Sequence, residues 1–222
     1  MDEELIKYLS TFISKERYQR MVDVLSRRTD YLTVVLEDLH YSQNASSVIR
    51  HCDAFGVQNI HIIENRNKFK LKNHAVRGTV KWISLNFYNE KKQNSLDTIN
   101  SLKSKGYRII ATSPRPGGST PATLKLESGK AALFFGNERD GLSDEILKNA
   151  DEFIQIPMEG FVESLNISAS CSIILQQLGD RLRNSEINWQ FDEKTKNQIL
   201  INWIKNSINK SDQIMKVFNS PH

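Results

Sequence analysis

The 222-residue chain carries 30 lysines and arginines against 26 aspartates and glutamates, a net charge of +4, with 39% hydrophobic and 25% charged residues. This composition allows one good core with appendages and excludes a uniformly polyanion-coating protein, so a nucleic-acid surface would be a local patch. Cys52 and Cys171 show no zinc or disulfide spacing, and no apolar run reaches the roughly 18 residues of a membrane helix. The acidic, amphipathic start "MDEELIKYLSTF" has no apolar leader core. The expected setting is therefore reducing and cytoplasmic, with no membrane partner.

Residues 3–28 keep helical spacing without proline or glycine. On a helical wheel Arg17, Arg20, Arg27 and Arg28 fall in one arc beside an apolar stripe of Tyr18, Met21, Val22 and Leu25. That face either contacts RNA or is a solvated charged surface balanced by Asp2, Glu3, Glu4, Glu16, Asp23 and Asp30. From Tyr31 the pattern changes to short, β-branched apolar stretches: "YLTVVLED", "NIHIIE", "KWISLNFY", "YRIIATS", "KAALFFGN" and "EFIQIP". Between several of them stand the helix-like segments "QNASSVIRHCDAFG", "NSLDTINSLKSKG" and "SDEILKNA". The alternation predicts an α/β fold, a mostly parallel sheet with helices on both faces. Gly56 and Gly106 stand where helix C-caps are expected. A helix is predicted from near Asn166 to about Arg183 and another over 194–206, followed by a loose tail.

Ligands of such sheets bind at the C-terminal ends of the strands. That rule selects the loops at 37–44, 112–118, 136–141 and 157–166. No G-x-G-x-x-G occurs, "GNERDG" lacks the P-loop lysine, and no G-x-S-x-G elbow is present. His40, His51, His61 and His74 have no metal spacing, so they are read as surface or structural residues and no metal is expected. In the first loop, Asn44 can cap a helix. Arg50, six residues on, either serves a ligand or pairs with Asp53. In "FFGNERDGLS" a strand runs into a glycine-bounded turn that holds Glu138 and Arg139 at the sheet edge, as site residues or as a solvated pair. In "IPMEGFVESLNISASCS", Pro157 ends a strand, Gly160 permits a bend, and Ser164 or Asn166 can cap the next helix. Backbone N–H groups at such a turn can receive the acceptors of a nucleoside.

Taken in order, "NASSVIRHCDAFGVQNIHII", "LFFGNERDGLSDEIL" and "IQIPMEGFVESLNISASCSIIL" resemble the three signature motifs of SPOUT-class methyltransferases. More narrowly they resemble the TrmH family of RNA ribose 2′-O-methyltransferases. The resemblance implies a C-terminal deep trefoil knot, S-adenosyl-L-methionine (AdoMet) as methyl donor, and a homodimer. It implies an RNA partner, tRNA, with the D-loop guanosine at position 18 as target. Only about 30 residues precede the catalytic region, too few for the separate RNA-binding domain that rRNA enzymes of the family often carry. An rRNA methyltransferase is the alternative. A non-catalytic RNA-binding relative is a further one, disfavoured because Arg50, Glu138 and Asn166 are all present.

Matched residue by residue, the resemblance implies catalytic roles for Arg50, Asn44, Glu138, Ser164 and Asn166. It places Thr112, Gly136, Ile156, Met158 and Leu165 around AdoMet. It implies RNA contacts by Arg17, Arg20, Arg27 and Arg28 and by a second pair, Arg181 and Arg183. The expected organisation is a basic helical RNA-binding extension over 1–30, a knotted catalytic domain over 31–184 and a helical extension over 185–222.

Overall fold

The computed structural model describes residues 2–69, 78–113 and 117–218, so His74 lies outside the described residues. It divides into two compact units: Thr29–Trp189, and Met1–Arg28 together with Gln190–His222. The helices in chain order are α1 Asp2–Ser10, α2 Lys15–Leu25, α3 Ser42–Ala54, α4 Ser95–Ser104, α5 Asp144–Asn149, α6 Ile167–Arg183, α7 Glu193–Lys205 and α8 Ser211–Phe218. None of them is long and apolar enough to cross a membrane.

The unit Thr29–Trp189 is built on six strands: β1 Leu32–Glu37, β2 Asn59–Ile63, β3 Ser84–Tyr88, β4 Arg108–Thr112, β5 Ala131–Phe135 and β6 Glu152–Ile154. They lie in the order β3-β2-β1-β5-β4-β6, and every pair is parallel. The two central strands are buried along their whole length. Alternation explains why they read as unbroken apolar runs, since successive side chains enter opposite faces. Val34, Leu36, Leu133 and Phe135 pack with Val48 and Ile49 of α3 and with Ile174, Leu175 and Leu178 of α6. Val35, Ala132 and Phe134 pack with Ile99 and Leu102 of α4 and Ile146 of α5. The expected parallel sheet covered on both faces is therefore observed.

Three local expectations differ. The predicted single N-terminal helix is two, because the Ser10 and Thr11 hydroxyls bond the Lys7 and Tyr8 carbonyls while Ser14 caps α2 by accepting from the Arg17 N–H. Arg27 and Arg28 consequently lie beyond α2, and the four arginines do not share one helical arc. The N-cap of α3 is Tyr41 rather than Asn44, which sits inside the first turn. The tail contains α8, whose Phe218 ring stands 5.1 Å from that of Tyr8. In this helical unit Ile6, Leu9, Met21 and Leu25 are buried, as are Leu200, Trp203 and Ile204 of α7.

His61, on β2, is buried, with Nδ1 3.1 Å from the Tyr88 hydroxyl. Burial, aided by the Lys105 charge, lowers its pKa from 6.5 to about 4. The unfolded chain therefore takes up the proton first. The stability held by neutral His61 is complete above its unfolded pKa and is lost as pH falls from 6.5 towards 4. The loss should be roughly 3 kcal/mol, a difference of a few pKa units. Urea unfolding across that range should show it, and His61→Gln should flatten the slope; an unaltered slope assigns the acid loss to another group.

Candidate active site

The site forms where the C-terminal ends of β1, β4, β5 and β6 meet the N-terminal ends of α3 and α6. After β5 the chain turns sharply. A Cβ on Gly136 would collide with the backbone of Gly141 and Leu142, so only glycine fits there. The turn is closed by Asn137 and Gly141, which exchange backbone hydrogen bonds of 3.0 and 3.1 Å. Asn137 Oδ1 also accepts from the N–H groups of Arg139 and Asp140 at 2.9 and 2.7 Å.

This turn presents Glu138 to the first loop. Its carboxylate accepts from the backbone N–H of His40 (3.0 Å), that of Tyr41 (3.3 Å) and Asn44 Nδ2 (2.6 Å). Asn44 Oδ1 in turn accepts from Asn166 Nδ2 at 3.1 Å. Asn166 caps α6, its Oδ1 accepting from the Ser168 N–H and hydroxyl at 2.8 and 2.7 Å. A carboxylate can only accept, so the direction of every bond in this chain is set by Glu138. Burial alone would push the Glu138 carboxyl up. The bonds from Asn44, His40 and Tyr41 and its own backbone N–H outweigh that and hold it below its ordinary 4.5. Glu138 is thus held in its ionised form where it ties the loops together.

Beside this bridge opens a pocket of about 910 Å³, within the size range of small-molecule sites. Thr112, Gly136, Ile156, Met158 and Leu165, the five positions expected around the cofactor, all line it. Glu138, Ser164 and Asn166 line it too, whereas Arg50 does not. Arg50 is exposed on α3, and none of the ion pairs among the described residues involves it. The pairing with Asp53 considered for it is not formed.

The expected RNA-contacting arginines are placed differently from one another. Arg17, Arg20 and Arg27 are exposed. Arg28 is 1% exposed, its guanidinium 5.4 Å from the Trp203 ring centre. Arg181 donates to the carbonyls of Pro121 and Leu124. Arg183 donates to those of Gly179 and Phe55 and stands 5.7 Å from the Trp189 ring centre.

Two residues at the end of β1 were not foreseen. Glu37 is buried and accepts from the Ser95 hydroxyl (2.7 Å), the Ser143 N–H (2.8 Å) and the Ser143 hydroxyl (2.6 Å). Asp38 takes a left-handed backbone, φ 51°, and its Oδ1 accepts from the N–H groups of Asn65, Arg66 and Asn67. Together they seat the loop whose His40 and Tyr41 amides grip Glu138. Their sequence signals were an acidic pair closing an apolar strand and a place in the strand-end loop 37–44, neither of which assigned them a role.

An all-parallel sheet with a pocket at its C-terminal edge, and three motif loops joined by Glu138, Asn44 and Asn166, is the arrangement expected from the resemblance of these motifs to SPOUT-class methyltransferases. Residues 31–176 match the SpoU rRNA Methylase family, and the chain belongs to it. A tRNA (guanosine(18)-2′-O)-methyltransferase of Borreliella burgdorferi is 39% identical over 223 residues, covering 99% of this chain and all of that protein. The crystal structure of the A. aeolicus TrmH/SpoU tRNA modifying enzyme superposes with a TM-score of 0.75 at 28% identity, over 88% of this chain and 98% of that one. An AdoMet-bound rRNA methyltransferase from Sinorhizobium meliloti aligns with a TM-score of 0.60 at 25% identity, over 73% of this chain and 60% of that one.

Proposed function

We propose that this protein transfers the methyl group of AdoMet to a ribose 2′-hydroxyl of tRNA, at the D-loop guanosine 18. The observation that carries this reading is the Glu138–Asn44–Asn166 bridge beside the pocket. The end-to-end similarity to a guanosine-18 methyltransferase selects tRNA over rRNA. AdoMet supplies an activated methyl: the O–CH3 bond forms as the S–CH3 bond breaks, leaving the thioether and releasing the hydroxyl proton.

The pocket suits that ligand. Ile156, Met158 and Leu165 offer apolar walls, and Gly136 and Thr112 bring strand-end backbone groups to it. Ser164 and Asn166 stand on the turn between β6 and α6, where they orient the reacting groups. Arg50 projects from the same helix as Asn44. Its guanidinium stays protonated to above about pH 12, so it cannot be the free base. It polarises the 2′-hydroxyl together with an RNA phosphate, and the phosphate or water takes the proton. Arg17, Arg20 and Arg27 offer exposed cations for phosphate contacts, which would make tRNA affinity fall with salt.

The trefoil knot, the homodimer, a cytoplasmic location and the RNA-binding role of the N-terminal segment belong to the same proposal. Phe161 and Val162, exposed at the tip of the loop carrying Ser164, are an apolar surface that pairing of two copies would cover. Sedimentation should give a dimer, and an active monomer would remove that part. The decisive experiment incubates the protein with labelled AdoMet and total RNA and maps the methylated ribose. Label on guanosine 18 of tRNA is expected; label on rRNA selects the alternative substrate, and no label on any RNA overturns the activity.

A further inference from the structure

The connection from β4 to β5 forms one wall of the pocket, through Gly117 and Gly118. It continues as a short strand-like contact with β6. The Ser119 N–H donates to the Phe153 carbonyl at 2.9 Å, and the Gln155 N–H donates to the Ser119 carbonyl at 2.8 Å. The approach is so close that a Cβ on Gly118 would lie 2.8 Å from the Phe153 carbonyl oxygen. Directly after Ser119 the chain makes a compact turn: the N–H groups of Thr123 and Leu124 both donate to the Thr120 carbonyl, and the Thr120 N–H donates to the Thr123 hydroxyl. The carbonyls of Pro121 and Leu124 are left over by that turn. Arg181, near the end of α6, meets both. Nη1 donates to Pro121 at 2.6 Å and Nη2 to Leu124 at 2.8 Å.

One planar fork therefore bridges two carbonyls of the segment that continues the pocket wall, from the helix whose other end carries Asn166. At the far end of the connection Arg108 donates to the carbonyls of Lys125 and Gly129. The segment that follows the wall is thus held at two successive places by guanidinium groups, Arg181 at Pro121 and Leu124 and Arg108 at Lys125 and Gly129. Arg181 is half-buried, and its two terminal nitrogens are already engaged with protein carbonyls.

We infer that Arg181 is a positioning residue for the AdoMet pocket and not a phosphate contact: its fork holds the Pro121–Leu124 turn on α6 and so keeps the Gly117–Ser119 wall against β6. The inference rests on the reading of the pocket as the AdoMet site. Lysine at this position keeps the charge but loses the planar fork whose two nitrogens each meet one carbonyl. Arg181→Lys should therefore behave like Arg181→Ala.

Calorimetric titration of the native protein with AdoMet comes first, and absence of binding there refutes the pocket reading itself. If the native protein binds, both variants should weaken AdoMet by about tenfold. tRNA affinity, measured without AdoMet, should stay within about twofold of native, and amide exchange over 117–125 should quicken without any ligand. Should the alanine variant fail to fold, the lysine variant alone decides. Native AdoMet affinity in the lysine variant, or a loss of tRNA affinity in Arg181→Ala that lysine restores, overturns the inference.

Discussion

Arg50→Lys should lose at least about 100-fold in turnover while binding AdoMet as tightly as the native enzyme. The separation of the two effects follows from position. Arg50 does not line the pocket and forms no ion pair among the described residues, so its removal disturbs neither the cofactor walls nor a structural bridge. Asn44, six residues earlier on α3, is fixed by Glu138 and Asn166. The helix is thereby seated, and the Arg50 stem projects from a rigid base. Its planar, bidentate group can contact a phosphate and the adjacent 2′-hydroxyl together in a fixed geometry, which a flexible ammonium does not preorganise. Single-turnover methylation combined with AdoMet titration checks both halves. Unchanged turnover in the lysine variant would remove Arg50 from the mechanism.

Glu138→Gln should weaken the enzyme by a different route, by unseating the loops. The native carboxylate accepts from three donors, two of them backbone N–H groups. Glutamine puts an NH2 where one acceptor oxygen stood, so at least one donor faces another donor. Leaving such a group unsatisfied costs about 1–3 kcal/mol, which corresponds to about a 5–150-fold loss in kcat/KM if it is all felt at the site. Asn44 acts through the same carboxylate, so Asn44→Ala should cost less in the Glu138→Gln background than in the native one. Additive effects in that double-mutant cycle would show that the bridge does not work as a unit. The pH dependence is a second check. Burial raises the Glu138 carboxyl, but its hydrogen bonds win and hold it below 4.5. Its anchoring is complete above its ordinary value and is lost only as pH falls through the lower, folded one. A limb of the activity profile near neutrality must come from another group.

Much of the architecture was readable because burial on both faces of a parallel sheet forces apolar, β-branched runs, and helices between them force a change of period. All six predicted strands and the helices around them are present. The positions matched to AdoMet line one pocket because motif order along the chain maps onto adjacent strand ends in a sheet of this topology. The N-terminal break was less legible. Serine and threonine are tolerated in helices, and only their hydroxyl bonds to Lys7 and Tyr8 reveal that they end one.

The arginines mark the boundary most plainly. An arginine in a sequence announces a cation with five donors and nothing about their acceptors. Arg17 and Arg20 stand exposed, Arg28 is buried beside Trp203, and Arg181 is taken up by two carbonyls about 60 residues away in the chain. The stretch "ESLNISASCS" divides in the same way: Asn166 as a helix cap is a local property, legible from residue type and spacing. Its bond to Asn44, 122 residues distant, is not. The sequence by itself determined the sheet, the motif loops and the chemistry they can hold, because these follow from periodicity and local capping. Only the tertiary structure decided which polar groups meet, because a hydrogen bond between remote residues depends on how the strand ends are brought together.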